Sequence, residues 1–166
     1  MSTFNELIDF TRSTTGTYLD SVVYGSESVI NGEFNDGTTG WSAPYQSTIS
    51  TVNNALRITS TNANPYATQD VVVEAGKKYV VTFNVLARSA GSTSVFFGSE
   101  TGLAKTDLGS HPILPNDFYV FNVVATTDVL NIQFVGHNLS VGNYFDVDNV
   151  SVKEVIGGQV SGTPLL

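Results

Sequence analysis

The sequence contains no cysteine and few charged residues. The absence of cysteine from all 166 positions excludes disulfide bonds, thiolate metal ligands and cysteine nucleophiles. Charged residues make up only 13% of the chain, and its seven lysines and arginines are scattered through a sequence of net charge −8. Because no basic patch is available to neutralise phosphates, we expect no nucleic-acid binding.

Long apolar runs are also missing. The longest run is about four residues, against the roughly 20 that a membrane-spanning helix needs, so we expect no membrane insertion. The N-terminal stretch MSTFNELIDF lacks the basic start and apolar centre of a signal peptide, so we expect synthesis in a cytoplasm. With 41% hydrophobic residues the chain can still form a sizeable core.

Catalytic motifs are absent as well. The two histidines, His111 and His137, have no second metal ligand two or four residues away. The sequence has no nucleophile elbow, phosphate-binding loop or metalloprotease helix. A pair of glycosidase carboxylates brought together by a β fold is the alternative that spacing does not exclude. We expect no enzymatic activity, no catalytic residue and no required cofactor.

Alternation of apolar and polar residues predicts an all-β fold. The clearest strand is Lys78–Ala87, where Tyr79, Val81, Phe83 and Val85 share one face. Further strands are predicted at Ser47–Val52, Ala55–Ser60, Tyr66–Val73, Thr93–Gly98, Phe118–Ala125, Val129–Val135 and Tyr144–Ile156. About eight or nine short strands at this spacing predict an antiparallel jelly-roll β-sandwich.

The predicted sandwich occupies residues 30–156 and is flanked by segments of different character. Residues 1–29 are a predicted extended arm, with a short strand near Val22–Tyr24, and residues 157–166 are a predicted tail. Ser99–Leu114 is a predicted loop, long enough to suggest a contact role.

The arm contains a distinctive motif from Ile8 to Ser21, IDFTRSTTGTYLDS. It resembles the opening of many tailed-bacteriophage virion proteins, where such a segment precedes a β-rich domain. The resemblance implies a protein made in the host cytoplasm and located in the virion, on the capsid surface rather than the tail. It also implies contacts with other virion proteins, the major capsid protein above all. The residues expected to make them are Ile8, Phe10, Arg12, Tyr18, Leu165 and Leu166.

Two further motifs bracket the β domain. They run from Asn31 to Trp41, NGEFNDGTTGW, and from Tyr144 to Val152, YFDVDNVSV. Together they resemble the galactose-binding-like jelly rolls of carbohydrate-binding modules. The resemblance implies a structural calcium ion, for which Glu33 and Asp148 are the matching acids. A hydrogen-bonded turn or a solvated pair of acids is the alternative for the same two residues.

Carbohydrate recognition needs exposed aromatic rings next to polar side chains, because sugars stack their C–H faces and hydrogen-bond through their hydroxyls. Tyr45, Tyr66, Phe97 and Tyr119 are the candidates, with a core or interface role as the alternative for each. The single tryptophan, Trp41, is expected in the core.

One leading function and two alternatives follow from these observations. The first is a capsid decoration or cement protein, a homo-oligomer taken to be a trimer by likeness to decoration proteins, whose arm contacts neighbouring subunits. The alternative is a receptor- or glycan-binding module of a tail fibre or spike, with host glycans as ligands. A secreted carbohydrate-binding module is a second alternative.

Overall fold

The computed structural model describes residues 22–100 and 106–157, and the described chain consists of strands and loops without a helix. The ten strands are β1 Tyr24–Glu27, β2 Ser47–Val52, β3 Ala55–Ser60, β4 Tyr66–Val72, β5 Lys78–Arg88, β6 Ser92–Gly98, β7 Gly109–Ile113, β8 Asp117–Val124, β9 Val129–His137 and β10 Tyr144–Val155. The prediction of an all-β antiparallel sandwich is confirmed. The described part has no helix long and apolar enough to cross a membrane.

The strands form two antiparallel sheets. The six-stranded sheet has the order β2-β3-β10-β5-β8, and β1 also pairs with β10. The four-stranded sheet has the order β4-β9-β6-β7. Strand β5 pairs along one side of β10. The other side of β10 pairs with β3 at Tyr144–Val147 and with β1 at Lys153 and Val155.

The core lies between the two sheets. The side chains predicted to share a face of β5, from Tyr79 to Val85, are all buried there. Trp41 is also buried, with its ring 5.6 Å from Phe34 and 5.8 Å from Phe134 between centroids, so the expectation of a core tryptophan is confirmed. Burying each large side chain contributes about 1.5–3 kcal/mol to folding.

A β-bulge in β10 changes which residues face the core. Phe145 and Val147 are buried, and the pairing with β5 then shifts between Asp148 and Ser151, where Asn149 has a φ of 52°. After the shift Val150 is buried as well. Unbroken alternation along Tyr144–Val152 would place Val150 on the same face as Asp148, but the bulge adds a residue and reverses the alternation.

The carboxylate of Glu27 fixes this bulge. Its Oε1 accepts hydrogen bonds from the backbone amides of Ser28 and Val29 at 3.0 Å and of Val152 at 2.8 Å. Its Oε2 accepts one from the hydroxyl of Ser151 at 2.5 Å. One side chain at the end of β1 thus satisfies polar groups that the irregular ladder leaves unpaired.

Some predicted boundaries agree with the structure and others do not. The predicted ends of β2 and β3 are those observed. The loop predicted over Ser99–Leu114 is wrong at its C-terminal part, because residues Gly109–Ile113 form β7 at a sheet edge, where Pro112 is tolerated. Strand β1 lies later than predicted, and it pairs with β10 although it belongs to the segment interpreted as an arm.

The predicted assembly contacts lie outside the described residues. These are Ile8, Phe10, Arg12, Tyr18, Leu165 and Leu166. They stay predictions.

Candidate functional site

The outer face of the four-stranded sheet carries polar side chains that are buried. On β9, Leu130, Ile132 and Phe134 enter the core, so the alternating Asn131 and Gln133 point away from it. Both amides are nevertheless only 1% exposed. Neighbouring side chains therefore surround them, and the face is concave where Asn131 lines an open depression.

A directed hydrogen-bond chain connects these amides to the edge of the sheet. The side-chain amide of Gln133 donates to Oδ1 of Asn131 at 2.5 Å. The amide of Asn131 donates to Oγ1 of Thr68 at 2.9 Å and to Oδ1 of Asp70 at 2.5 Å. Asn131 and Asp70 are directly paired across β9 and β4. The floor of the face is thus rigid, and it ends at an exposed carboxylate.

A short extended segment forms one wall of the face. Ser42 exchanges two backbone hydrogen bonds with Thr68, of 3.0 and 2.9 Å, and so runs alongside β4. Between this segment and the sheet lies an open depression of about 710 Å³. Its lining includes Tyr45 at the rim, 55% exposed, and Asp70 and Asn131 on the floor.

The opening motif of the domain places this wall. The side chain of Asn31 donates to the carbonyls of Asp36, Gly37 and Thr39 at 3.0–3.2 Å and accepts from the amide of Asp36 at 3.1 Å. The side chain of Gln69 bonds both backbone groups of Ile30, at 2.8 and 2.9 Å. These contacts anchor the turn that leads into Trp41 and Ser42.

Aromatic and imidazole side chains lie on the same face beyond the floor. Phe96 is paired with Gln133 across β6 and β9, and its ring centroid lies 6.0 Å from that of His137. Nε2 of His137 lies 3.1 Å from Oγ of Ser94, within hydrogen-bonding distance. The sequence prediction names the adjacent Phe97 and not Phe96.

The four predicted ligand-binding aromatics are thus in different places. Phe97 is fully buried between the sheets and cannot stack on a ligand, so that prediction is wrong. Tyr119 lies on the core side of β8, where its ring stacks 5.4 Å from Phe83 and its hydroxyl accepts from the amide of Leu114 at 2.6 Å. Only Tyr45 and Tyr66 line the depression. Tyr66 is largely buried, which raises the pKa of its hydroxyl.

The depression is almost uncharged. Asp70 is the one ionisable acid or base other than tyrosine among the described residues that line it. Amides, hydroxyls and a carboxylate can exchange directional hydrogen bonds with a hydroxyl-rich neutral ligand, and the exposed ring of Tyr45 offers an apolar surface beside them.

The two acids predicted to hold calcium lie near each other, Asp148 on β10 of the six-stranded sheet and Glu33 in the opening turn. Burial raises the pKa of Asp148, the backbone amide of Asn149 at 2.7 Å lowers it, and the charge of Glu33 raises it further. Within residues 22–100 and 106–157, no group of three or more histidine or acidic side chains is arranged to hold a metal ion. Two carboxylates supply at most about four of the six to eight oxygens that Ca²⁺ takes, so calcium here stays a prediction.

No protein-family model and no curated protein sequence matches the chain. Solved structures, in contrast, share its architecture. A CBM4 module superposes with a TM-score of 0.57 at 15% identity, covering 76% of this chain and 99% of the module. The CBM22-1 xylan-binding domain of Paenibacillus barcinonensis Xyn10C gives 0.53 at 13% identity, covering 85% and 100%.

A third similar structure comes from a virus. The enzymatically active domain of tailspike protein 4 of bacteriophage CBA120 gives a TM-score of 0.59 at 19% identity, covering 78% of this chain and 21% of that one. At these identities the likeness concerns the fold alone. The chain has the β-sandwich of carbohydrate-binding modules.

Proposed function

We propose that this protein is a glycan-binding module and that its ligand lies across the concave face of the four-stranded sheet. The observation that carries the proposal is a hydrogen-bonded row on a surface that points away from the core, in which the buried Gln133 and Asn131 lead to the exposed carboxylate of Asp70. Polar side chains fixed in this way are preorganised for a ligand, because little conformational freedom remains to be lost on binding.

The chemistry of the face fits a sugar. The carboxylate of Asp70 and the hydroxyl of Thr68 lie where ring hydroxyls can reach them, and Tyr45 exposes a ring on which a sugar C–H face can stack. Because the depression is open along the sheet, it accommodates a chain of sugar units better than an enclosed small molecule. The fold shared with carbohydrate-binding modules supports this assignment.

We further propose a tail fibre or tail spike as the setting, with host surface glycans as ligands. The arm motif that resembles tailed-phage virion proteins and the fold likeness to part of a phage tailspike both support this setting. These observations favour the glycan-binding alternative over capsid decoration, which gains no support from the fold.

A matched pair of tyrosine variants tests the binding face. Tyr45 is 55% exposed on the rim, and Tyr24 is 49% exposed on β1 in the other sheet. The full chain is screened on an array of neutral and bacterial surface glycans, and dissociation constants are measured for the best ligand. We expect Tyr45→Ala to weaken binding about tenfold, from the lost stacking, while Tyr24→Ala binds like wild type.

Two outcomes would contradict the proposal. One is the absence of any glycan hit for the folded wild-type protein. The other is equal loss, or no loss, of affinity in the two tyrosine variants, which would place the site elsewhere.

A further inference from the structure

One edge of the six-stranded sheet lacks the features that keep β-strands from associating. The ends of the two sheet orders are β2, β8, β4 and β7. Strand β7 is short and contains Pro112, and β4 is partly covered through its bridge to Ser42. Strand β2 is mostly polar, with serine or threonine at four of its six positions. Strand β8 has none of these protections, since six of its eight residues are apolar and aromatic or β-branched.

The apolar side chains of β8 are exposed. Phe118, Val120 and Val124, on the outer face of the sheet, are each at least 50% exposed. On the opposite face, Tyr119 and Phe121 are only partly buried against the core. Surface of this kind, contiguous along one edge strand, is typical of a protein interface.

We propose that β8 pairs antiparallel with β8 of a second copy of this chain, which joins the two six-stranded sheets into one. A two-fold axis perpendicular to the sheet places the outer-facing side chains of both copies on one surface. Phe118, Val120 and Val124 then become covered by their own counterparts. The pairing also satisfies backbone groups that an edge strand leaves open.

Charge limits where a second copy can dock. Each chain carries a net charge of −8, so two copies repel one another over most of their surface. The stretch from Phe118 to Val124 contains no charged residue, and Asp117 at its start is the one charge on the strand. Strand β8 therefore offers an uncharged, apolar edge at which two copies can meet with little of this repulsion.

The pairing leaves the concave face free. Strand β8 belongs to the six-stranded sheet, whereas the proposed glycan site is on the outer surface of the other sheet. The dimer would therefore present two sites, although the inference does not depend on the proposed function.

The mass of the full chain in solution tests the pairing. Light scattering coupled to size-exclusion chromatography should give twice the 17.7 kDa of one chain for the wild type. Val120→Lys should give the mass of one chain at the same protein concentration, because each copy then places a positive charge in the apolar seam. The control is Val141→Lys, at an exposed loop position between β9 and β10, which should remain a dimer.

Crosslinking gives a second readout that does not depend on a destabilising charge. Since the chain has no cysteine, Val120→Cys and Val141→Cys each carry one thiol. A short bismaleimide should link Val120→Cys into a covalent dimer at least tenfold more efficiently than Val141→Cys.

The proposal is overturned by a monomeric or trimeric wild type, by an unchanged mass in Val120→Lys, or by equal crosslinking at the two positions.

Discussion

Arg57 on β3 and Asp146 on β10 form a two-pronged ion pair across neighbouring strands. Nε and Nη2 of Arg57 donate to the two carboxylate oxygens of Asp146, both at 2.8 Å. The guanidinium carbon also lies 3.6 Å from the ring centroid of Tyr144. The hydrogen bond to Asp146 is the main reason that the pKa of Arg57 is raised. Asp146 itself is buried.

Removing one partner of this pair should destabilise the protein. Asp146→Ala leaves the Arg57 guanidinium without its two acceptors, and we expect the free energy of unfolding to fall by about 2 kcal/mol. Arg57 keeps partial access to water, so the loss should stay below that of a fully buried pair. Urea unfolding measures the change. Asp36→Ala, at an exposed acid, is the control and should lie within about 0.5 kcal/mol of wild type.

The raised pKa of Asp148 predicts a pH-dependent cost to stability. A carboxyl group with a folded pKa above its unfolded value of 3.8 favours folding when protonated, and this contribution is lost as pH rises through the folded pKa. Asp148→Asn should therefore be more stable than wild type at pH 7, and the difference should disappear below about pH 3.8. Thermal unfolding at the two pH values measures it.

A matched control separates burial from local hydrogen bonding. Asp117 accepts a bond from the next backbone amide at 2.9 Å, as Asp148 does at 2.7 Å, but Asp117 is exposed. Asp117→Asn should lack the gain in stability at pH 7, and an equal gain would refute burial as the cause.

Added Ca²⁺ gives a further readout, because an ion held by Glu33 and Asp148 should raise the melting temperature of wild type but not of Asp148→Asn. A melting temperature unchanged by Ca²⁺ would favour the hydrogen-bonded turn predicted as its alternative.

Gly32 is required by a close approach of two backbone segments. A Cβ atom at this position would lie 1.9 Å from the carbonyl oxygen of Val150, and the Gly32 carbonyl accepts the Val150 amide at 3.0 Å. Gly32→Ala must push β10 away from the opening turn, and we expect a loss of at least about 2 kcal/mol in denaturant unfolding. Gly37→Ala meets no atom within 4 Å but has a φ of 57°, so it should cost about 1 kcal/mol. A smaller loss at Gly32 than at Gly37 would contradict this explanation.

The sequence predicted the framework better than the site. The alternation of apolar and polar residues alone located most strands, because a strand with one face buried against a second sheet has an apolar residue at every second position. It missed β7, where Gly109 and Pro112 are read as turn residues although an edge strand tolerates them. It chose Phe97 over Phe96, since a pair of adjacent aromatics does not reveal which ring faces the core.

The buried amides could not have been predicted from the chain. Asn131 and Gln133 alternate with core residues, a pattern that is typical of a solvated outer face. Their surroundings come from other strands, Thr68 and Asp70 of β4 beside Asn131 and Phe96 of β6 beside Gln133, and such neighbours are set by the tertiary fold. The bulge in β10 is of the same kind, because it is held by the carboxylate of Glu27 on β1, a strand far away in the sequence.

The location of Trp41 makes the protein its own optical probe. It is the sole tryptophan of the chain, its indole nitrogen is buried without a hydrogen-bond partner in the described structure, and its neighbours Gly40 and Ser42 line the depression. Such an indole should fluoresce at short wavelength when the protein is folded and shift to the red on unfolding. A glycan entering beside Ser42 would perturb the same emission, so one unlabelled signal can report both folding and ligand occupancy.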